Sequence, residues 1–256
     1  MISSQRIAFA TIYRREMKRM LRVWIQTLLP PLITSTLYFL IFGLIIGSQI
    51  RDIQGVHYMT FLAPGFIMMN LITSSFMHSV SSIYMMRFTR SIEEVMTSST
   101  QTQTLLWALI ASATTRGLVN GSLVGLICVA FTHIPIPHPI YLIIVAILAC
   151  LFFSTAGFIN GLFARDFNET TIISTFILTP FIYLGGVFYT IDMLPGIWQS
   201  VIVWNPIFHI INGFRYACLG HADVSIQAAL WMLIGANSIL IIGASILLNR
   251  GQGIRQ

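Results

Sequence analysis

Charged side chains are scarce in this sequence: they make up 9% of its 256 residues, against about 25% in an average soluble domain. Hydrophobic residues make up 56%, and the mean hydropathy is +0.82. A soluble protein of this length needs more polar side chains to cover its surface. The composition therefore excludes an ordinary cytosolic enzyme, a disordered chain and a coiled coil, and it predicts a polytopic membrane protein.

Lysine is almost absent. The single lysine, Lys18, stands between Met17 and Arg19, whereas a Walker A loop needs Gly-Lys followed by Ser or Thr to hold phosphates. The chain therefore carries no P-loop, and we expect it to bind no cofactor and to be a non-catalytic protein.

Metal-binding and disulfide patterns are also missing. The three cysteines are an odd number without a Cys-x-x-Cys pair, and no His-Glu-x-x-His occurs. These absences exclude the usual signatures of a disulfide framework, a zinc site and a zinc protease. We expect no metal and no catalytic residues.

What the sequence does contain is a series of long apolar stretches. A membrane-spanning helix needs about 20 apolar residues, and six stretches meet this need: residues 25–46, 58–83, 105–131, 140–163, 170–189 and 228–248. Residues 191–221 are apolar too, but Pro195 and Pro206 divide them into pieces too short to cross. We predict an all-α membrane domain over residues 25–256, with a re-entrant helical hairpin between spans 5 and 6.

Residues 1–24 form a separate amphipathic unit. Apolar residues recur there at helical spacing, and basic residues gather on the opposite face, a pattern typical of a helix lying on an anionic membrane surface. The same face could dock a cytoplasmic partner. The basic residues are Arg14, Arg15, Lys18, Arg19 and Arg22. Because no long apolar run comes early, we expect this segment to be retained and to face the cytoplasm.

The distribution of arginine and lysine predicts the topology. Six spans place both termini on one side, and the segments proposed to lie inside hold 11 basic residues against 2 outside, Arg51 and Arg215. This asymmetry favours cytoplasmic termini, and it explains the net charge of +6 without nucleic acid binding. The remaining arginine, Arg116, lies within the third span. Its side chain either extends to the inner membrane surface, forms a structural pair, or has a functional role.

Two further patterns concern contacts. Glycines repeat every fourth residue at Gly117, Gly121 and Gly125, and again at Gly157 and Gly161. Such stripes allow close helix approach, and we interpret them mainly as packing within the chain, with a subunit interface as the alternative. Residues 84–104 form a polar inner segment in which a short amphipathic helix is predicted.

Four stretches together resemble the ABC-2 type transporter permeases. They are residues 24–31 running into 37–39, residues 58–65, residues 90–96, and the set of residues 185–189 with Leu194, Pro195, Trp198, Asn205, Pro206 and Arg215. The resemblance covers essentially the whole chain, and is particularly close for small bacterial inner-membrane permeases. The family often has proline after the acidic residues of the inner segment, where this chain has Ser98-Ser99.

The resemblance implies an ATP-driven exporter. Two copies of the chain would form the translocation path, and two copies of a separate ABC ATPase, which bind ATP and Mg²⁺, would sit beneath it. The segment from residue 87 to 97 would be the coupling helix, flanked by the N-terminal helix, and the hairpin would cap the outer exit. The implied coupling residues are Arg87, Arg90, Glu93, Glu94 and Met96.

Two other functions stay open on the residues alone. A self-contained secondary transporter or channel should show an intramembrane carboxylate or an inverted repeat, and neither is evident. An intramembrane enzyme should show catalytic groups at one depth, and none is visible. A lining of Phe, Tyr, Met and Ser suits amphipathic or lipid-linked cargo, and it suits contact with lipid equally well. The resemblance adds glycans and drug-like molecules to the expected cargo.

Overall fold

A computed structural model describes residues 2–46, 53, 55–98, 100–222 and 224–251, except the side chains of residues 2, 3, 43–46 and 96. The described chain is 83% helical and contains no strand, only an isolated antiparallel bridge between Ile53 and Val56. The predicted all-α class is therefore confirmed. The side chain of Met96 lies outside the described part. So do Arg51, Arg255 and Gly47, the last of which forms a further four-residue glycine pair with Gly43 in the sequence.

Eleven α-helices are found in the described residues. They are α1 (Ile2–Arg22), α2 (Trp24–Tyr38), α3 (Tyr58–Phe88), α4 (Ser91–Thr97), α5 (Thr102–Phe131), α6 (Pro139–Phe163), α7 (Glu169–Ile173), α8 (Thr179–Tyr183), α9 (Gly196–Val203), α10 (Pro206–Leu219) and α11 (Ile226–Asn249). Helix α2 continues into a π-helical segment, Phe39–Ile46, and a second π-helical segment, Ser174–Leu178, joins α7 to α8.

Five helices in the described residues are long and apolar enough to cross a membrane. They begin at Trp24, Tyr58, Thr102, Pro139 and Ile226, within three residues of the predicted starts of spans 1, 2, 3, 4 and 6. The predicted fifth span corresponds to α7, the π-helical segment and α8, which together cover residues 169–183. Pro180 lies in α8, and proline disrupts regular helical hydrogen bonding because it has no backbone N–H.

Helix α3 lies at the centre of the domain, with α5 and α6 packed against it. Glycine makes this contact close: a Cβ on Gly157 would lie 2.4 Å from the carbonyl oxygen of Phe76, and one on Gly161 would lie 2.7 Å from that of Val80. On α5, a Cβ on Gly117 would lie 2.8 Å from Cβ of Ser75. The interpretation of these glycines as packing within the chain is confirmed, since real Cβ atoms do not approach so closely.

A compact apolar cluster joins one end of the domain. It brings together the end of α3, the start of α5, the ends of α6 and α11, and helices α1 and α4. Its members include Ile12, Met86, Ile92, Leu105, Leu162 and Leu248. We call this end the α4 end, and it carries the predicted coupling segment.

The segment between α8 and α11 forms two helices, as the prolines predicted. Pro195 precedes α9, and Pro206 is the first residue of α10, a position that tolerates proline because its N–H would be unbonded. Helix α10 is largely buried. Helix α9 exposes large apolar side chains instead, including Ile197 and Trp198, and Trp204 directly after it is 88% exposed.

Candidate transport and coupling sites

The short helix α4 presents the two predicted acidic coupling residues to solvent. Ile92 is buried in the cluster at the α4 end, and the adjacent Glu93 and Glu94 are exposed in the first turn. Acidic side chains are favourable there because the helix N-terminus carries partial positive charge. Arg90 precedes the helix with φ of 55°, a left-handed conformation uncommon outside glycine, and its side chain is exposed.

Helix α4 ends where the family often has proline. Ser98 follows the helix in an extended conformation, and its hydroxyl donates a hydrogen bond to the carbonyl oxygen of Val95 at 2.6 Å. A serine thus satisfies a terminal carbonyl of the helix, and the departure from the family pattern leaves the helix well terminated.

Arg87 has a contact that the sequence did not indicate. Its Nη1 donates hydrogen bonds to the carbonyl oxygens of Gly161 at 3.0 Å and Ala164 at 2.8 Å. These carbonyls belong to the C-terminal end of α6, which leaves such groups without helical partners. Arg87 therefore joins the end of α3 to the end of α6, close in the chain to the start of α4.

Helix α1 has three faces in different surroundings. Its basic residues Arg14, Arg15, Lys18 and Arg22 are exposed, as predicted. Its protein-facing side is centred on Glu16, which is 1% exposed, a position that the sequence analysis did not single out. The apolar residues Ile7 and Leu21 remain exposed, as does Trp24 at the start of α2.

The buried carboxylate of Glu16 forms ion pairs with two partly exposed arginines. The carboxylate lies 2.7 Å from Arg19 and 3.6 Å from Arg15, and it accepts a hydrogen bond from the Ser82 hydroxyl at 2.9 Å. Arg19 also donates to Ser82. Helix α1 is therefore fixed to α3, and the clue in the sequence was one carboxylate among five neighbouring cations.

The hairpin residues are anchored to other helices. Arg215 is 1% exposed, its guanidinium lies 4.1 Å from the Phe61 ring centre, and it donates to the Gly186 carbonyl at 2.5 Å. Asn205 caps α10 by accepting a hydrogen bond from Ile207 N at 2.9 Å, and its amide donates to the Phe181 carbonyl at 2.8 Å. Arg215 is thus packed in the interior of the protein, a contact that its place in the predicted hairpin did not indicate.

Arg116 contacts a histidine on the central helix. Midway along α5, its Nη1 lies 2.7 Å from Nδ1 of His78, which is 2% exposed. Arginine only donates hydrogen bonds, so Nδ1 of His78 accepts, and the histidine is neutral with its hydrogen on Nε2. Arg116 is therefore paired, and it faces a cavity between helices.

The cavity beside this pair lies between α2, α3 and α5 and has a volume of about 330 Å³. Polar side chains form much of its wall. On α3 they recur at helical spacing, and with two residues of α2 the set includes Gln26, Thr27, Asn70, Thr73, Ser74 and Ser81. This polar stripe on an otherwise apolar helix was readable from the sequence and was missed.

Hydrogen bonds fix part of the cavity wall. The amide of Asn70 donates to the Ser35 hydroxyl at 3.0 Å, and that of Asn120 donates to the Ser74 hydroxyl at 2.5 Å. The first bond joins α3 to α2, and the second joins α3 to α5. Among the residues that the structure describes, no group of His, Cys, Asp and Glu is arranged to hold a metal ion.

A polar, arginine-containing cavity among long apolar helices is typical of transport proteins. The family model for ABC-2 type transporters matches residues 7–219.

The chain belongs to the ABC-2 type transporter family. This permease is 39% identical to a protein of Escherichia coli K12 described as "inner membrane transport permease YadH", over 97% of each chain. It is 23% identical to "nodulation protein J" of Rhizobium leguminosarum biovar trifolii, over 84% of the permease and 82% of that relative. It is a multi-pass inner-membrane transport permease, as the sequence predicted.

Proposed function

We propose that the permease is the membrane subunit of an ATP-binding cassette exporter. Two copies form the translocation path, and each engages one copy of a cytoplasmic ABC ATPase that binds ATP and Mg²⁺. Hydrolysis on the ATPase rocks the two permease copies between inward-open and outward-open arrangements, an alternating-access motion. The cargo is an amphipathic, lipid-linked, glycan or drug-like molecule.

A six-span topology with cytoplasmic termini is part of this proposal. The apolar cluster at the α4 end unites α1 with the ends of α3, α6 and α11 and the start of α5, which is the pattern expected if these ends lie on one membrane face. The additional crossing is made by the predicted fifth span, residues 170–189, whose helical part ends at Tyr183. Helices α9 and α10 then form the re-entrant hairpin on the opposite side.

The shape of α4 carries the coupling assignment. Its buried Ile92 holds the helix against the membrane domain, while exposed Glu93 and Glu94 are free to enter a cleft on the ATPase. Arg90 lies beside them, and the exposed basic residues of α1 lie at the same end. Arg87 transmits movement of α4 to α6 through its two carbonyl contacts.

The exposed side of α2 supports dimer formation. Ile25, Leu29, Ile33, Leu37 and Ile41 recur every fourth residue, and each is at least 40% exposed. A continuous apolar stripe on a helix is suited to contact either with lipid or with a second helix. We assign this stripe to the surface that faces the second permease across the translocation path.

Reversing the acidic pair tests the coupling assignment. We expect Glu93→Arg with Glu94→Arg to abolish the permease-dependent change in ATPase rate, because cations would replace the anions that enter the cleft. The assay compares ATP hydrolysis by the ATPase with each permease variant in lipid nanodiscs.

Asp192→Arg serves as the matched control, since Asp192 is also exposed but lies in the 3₁₀ turn Ile191–Met193 near α9. It should preserve coupling. Normal membrane insertion of the double variant with an unchanged ATPase response would refute the role of α4.

A further inference from the structure

The cavity between α2, α3 and α5 has an unbalanced positive charge. Arg116 is the one ionised side chain in its wall, and arginine stays charged in proteins. The described residues of the wall include no carboxylate. Its other polar groups are hydroxyls and amides, together with neutral His78.

Glu16, the one acidic side chain that is buried among the described residues, is already engaged. Glu16 pairs with Arg19 and Arg15 and accepts the hydrogen bond of Ser82, and it does not line the cavity. Because Arg19 carries its own positive charge, this cluster leaves the charge of Arg116 uncompensated. An anion in the cavity would supply the missing charge.

The Arg116–His78 pair also has hydrogen-bonding capacity left over. Nε of Arg116 and Nε2 of His78 are buried without hydrogen-bond partners, and both are donors in the arrangement deduced above. Unpaired buried donors are costly. A small displacement of either side chain toward an anionic oxygen would satisfy them. The Ser74 hydroxyl, which accepts a hydrogen bond from Asn120, could donate to the same anion.

We propose that this cavity binds a phosphate-like anionic group, and that the group is the head of an amphipathic molecule in the membrane. This deepens the proposed function, on which it rests, by assigning an anionic amphiphile as the cargo class. The volume of about 330 Å³ is at the low end for small-molecule sites, so it suits a headgroup, with the apolar tail left outside.

The setting of the cavity favours an amphiphile over a free ion. Helix α2 forms one wall of the cavity. The exposed stripe of isoleucine and leucine side chains lies on the same helix. An apolar tail could follow that stripe while the anionic head contacts Arg116. Free inorganic phosphate would gain only the polar contacts.

Binding of a labelled alkyl phosphate tests the proposal. The full-length permease, without ATPase, is immobilised in micelles of a neutral maltoside detergent, and binding of ³²P-labelled dodecyl phosphate is measured by scintillation proximity. We expect saturable binding that dodecyltrimethylammonium, a cation with the same tail, does not displace. Arg116→Gln should weaken binding at least about tenfold, which corresponds to about 1.4 kcal/mol.

Matched variants separate binding from folding. Arg116→Lys should bind with intermediate affinity because it keeps the charge but not the planar donor set. Arg165→Gln removes an exposed arginine of the loop before α7 and should bind normally. If the Arg116→Gln variant is not monodisperse, the Ser74→Asp variant is used in its place. It keeps Arg116 but adds a carboxylate to the cavity wall, which should weaken binding of an anion by repulsion.

Competition by inorganic phosphate identifies the source of the anion. No displacement at concentrations where dodecyl phosphate competes would support a membrane amphiphile, whereas equally strong displacement would overturn that part of the proposal. Equal affinity of wild type and Arg116→Gln, or displacement by the cationic amphiphile, would overturn the anion site itself. Because no ATPase is present, either result is independent of the coupling experiment.

Discussion

Arg215 and Arg116 both lie among packed helices of the permease, but their surroundings differ. Arg215 is almost fully buried, stacks on Phe61 and donates to a fixed carbonyl. Arg116 has one partner, His78, and borders a polar cavity. Both arginines are single cations in apolar sequence, so the sequence does not distinguish them. Their surroundings do: Arg215 joins two segments of the protein, and Arg116 has donors left for a ligand.

The strongest test of this contrast removes each guanidinium in turn. Arg215→Met should lower the thermal unfolding temperature by about 5 to 10 °C, because a charge-assisted hydrogen bond and a buried cation–π contact are lost. Arg116→Met should lower it by less than about 3 °C, since its guanidinium is only partly bonded. Intrinsic tryptophan fluorescence in detergent micelles measures both variants.

Similar shifts for the two methionine variants would remove the distinction. A larger shift for Arg116→Met than for Arg215→Met would make Arg116 the structural residue and weaken the case for a ligand at the cavity.

A smaller effect is expected from one asparagine in each region. Asn205→Ala should destabilise the permease by about 1 kcal/mol through loss of the α10 cap, and it also loses the bond to Phe181. Asn120→Ala should cost less, because its amide oxygen has no hydrogen-bond partner. Chemical unfolding monitored by tryptophan fluorescence ranks the two variants by their free energy of unfolding. A larger loss for Asn120→Ala than for Asn205→Ala would contradict the view that the hairpin is the more firmly held region.

The sequence predicted the helical class, the two helices that begin at prolines and the short helix α4. Of the six predicted spans, five correspond to long helices in the described residues. These features depend on local properties: the length of apolar runs, proline positions and amphipathic spacing. The π-helical interruption at Ser174–Leu178 was not foreseen. Periodicity at 3.6 residues does not distinguish a π-turn from regular helix, although Pro180 marked the region as irregular.

Contacts between distant residues could not be predicted in the same way. Arg116 was visible as a charge within an apolar run, but its partner His78 lies 38 residues earlier on another helix. Arg215 was counted with the outer segments because it lies in the predicted hairpin between spans 5 and 6. Its contact with Phe61 depends instead on how α10 packs against α3. Glu16 was overlooked because the apolar and basic faces of α1 dominate its pattern.

Transport by this permease is proposed to depend on an ATPase. The most direct measurement is ATP hydrolysis by the cognate ABC ATPase subunit, co-purified with the permease in lipid nanodiscs and compared with the ATPase alone. We expect a stable complex with altered, vanadate-sensitive turnover. Failure to form a complex, with turnover equal to that of the isolated ATPase, would contradict it and favour a self-contained transporter.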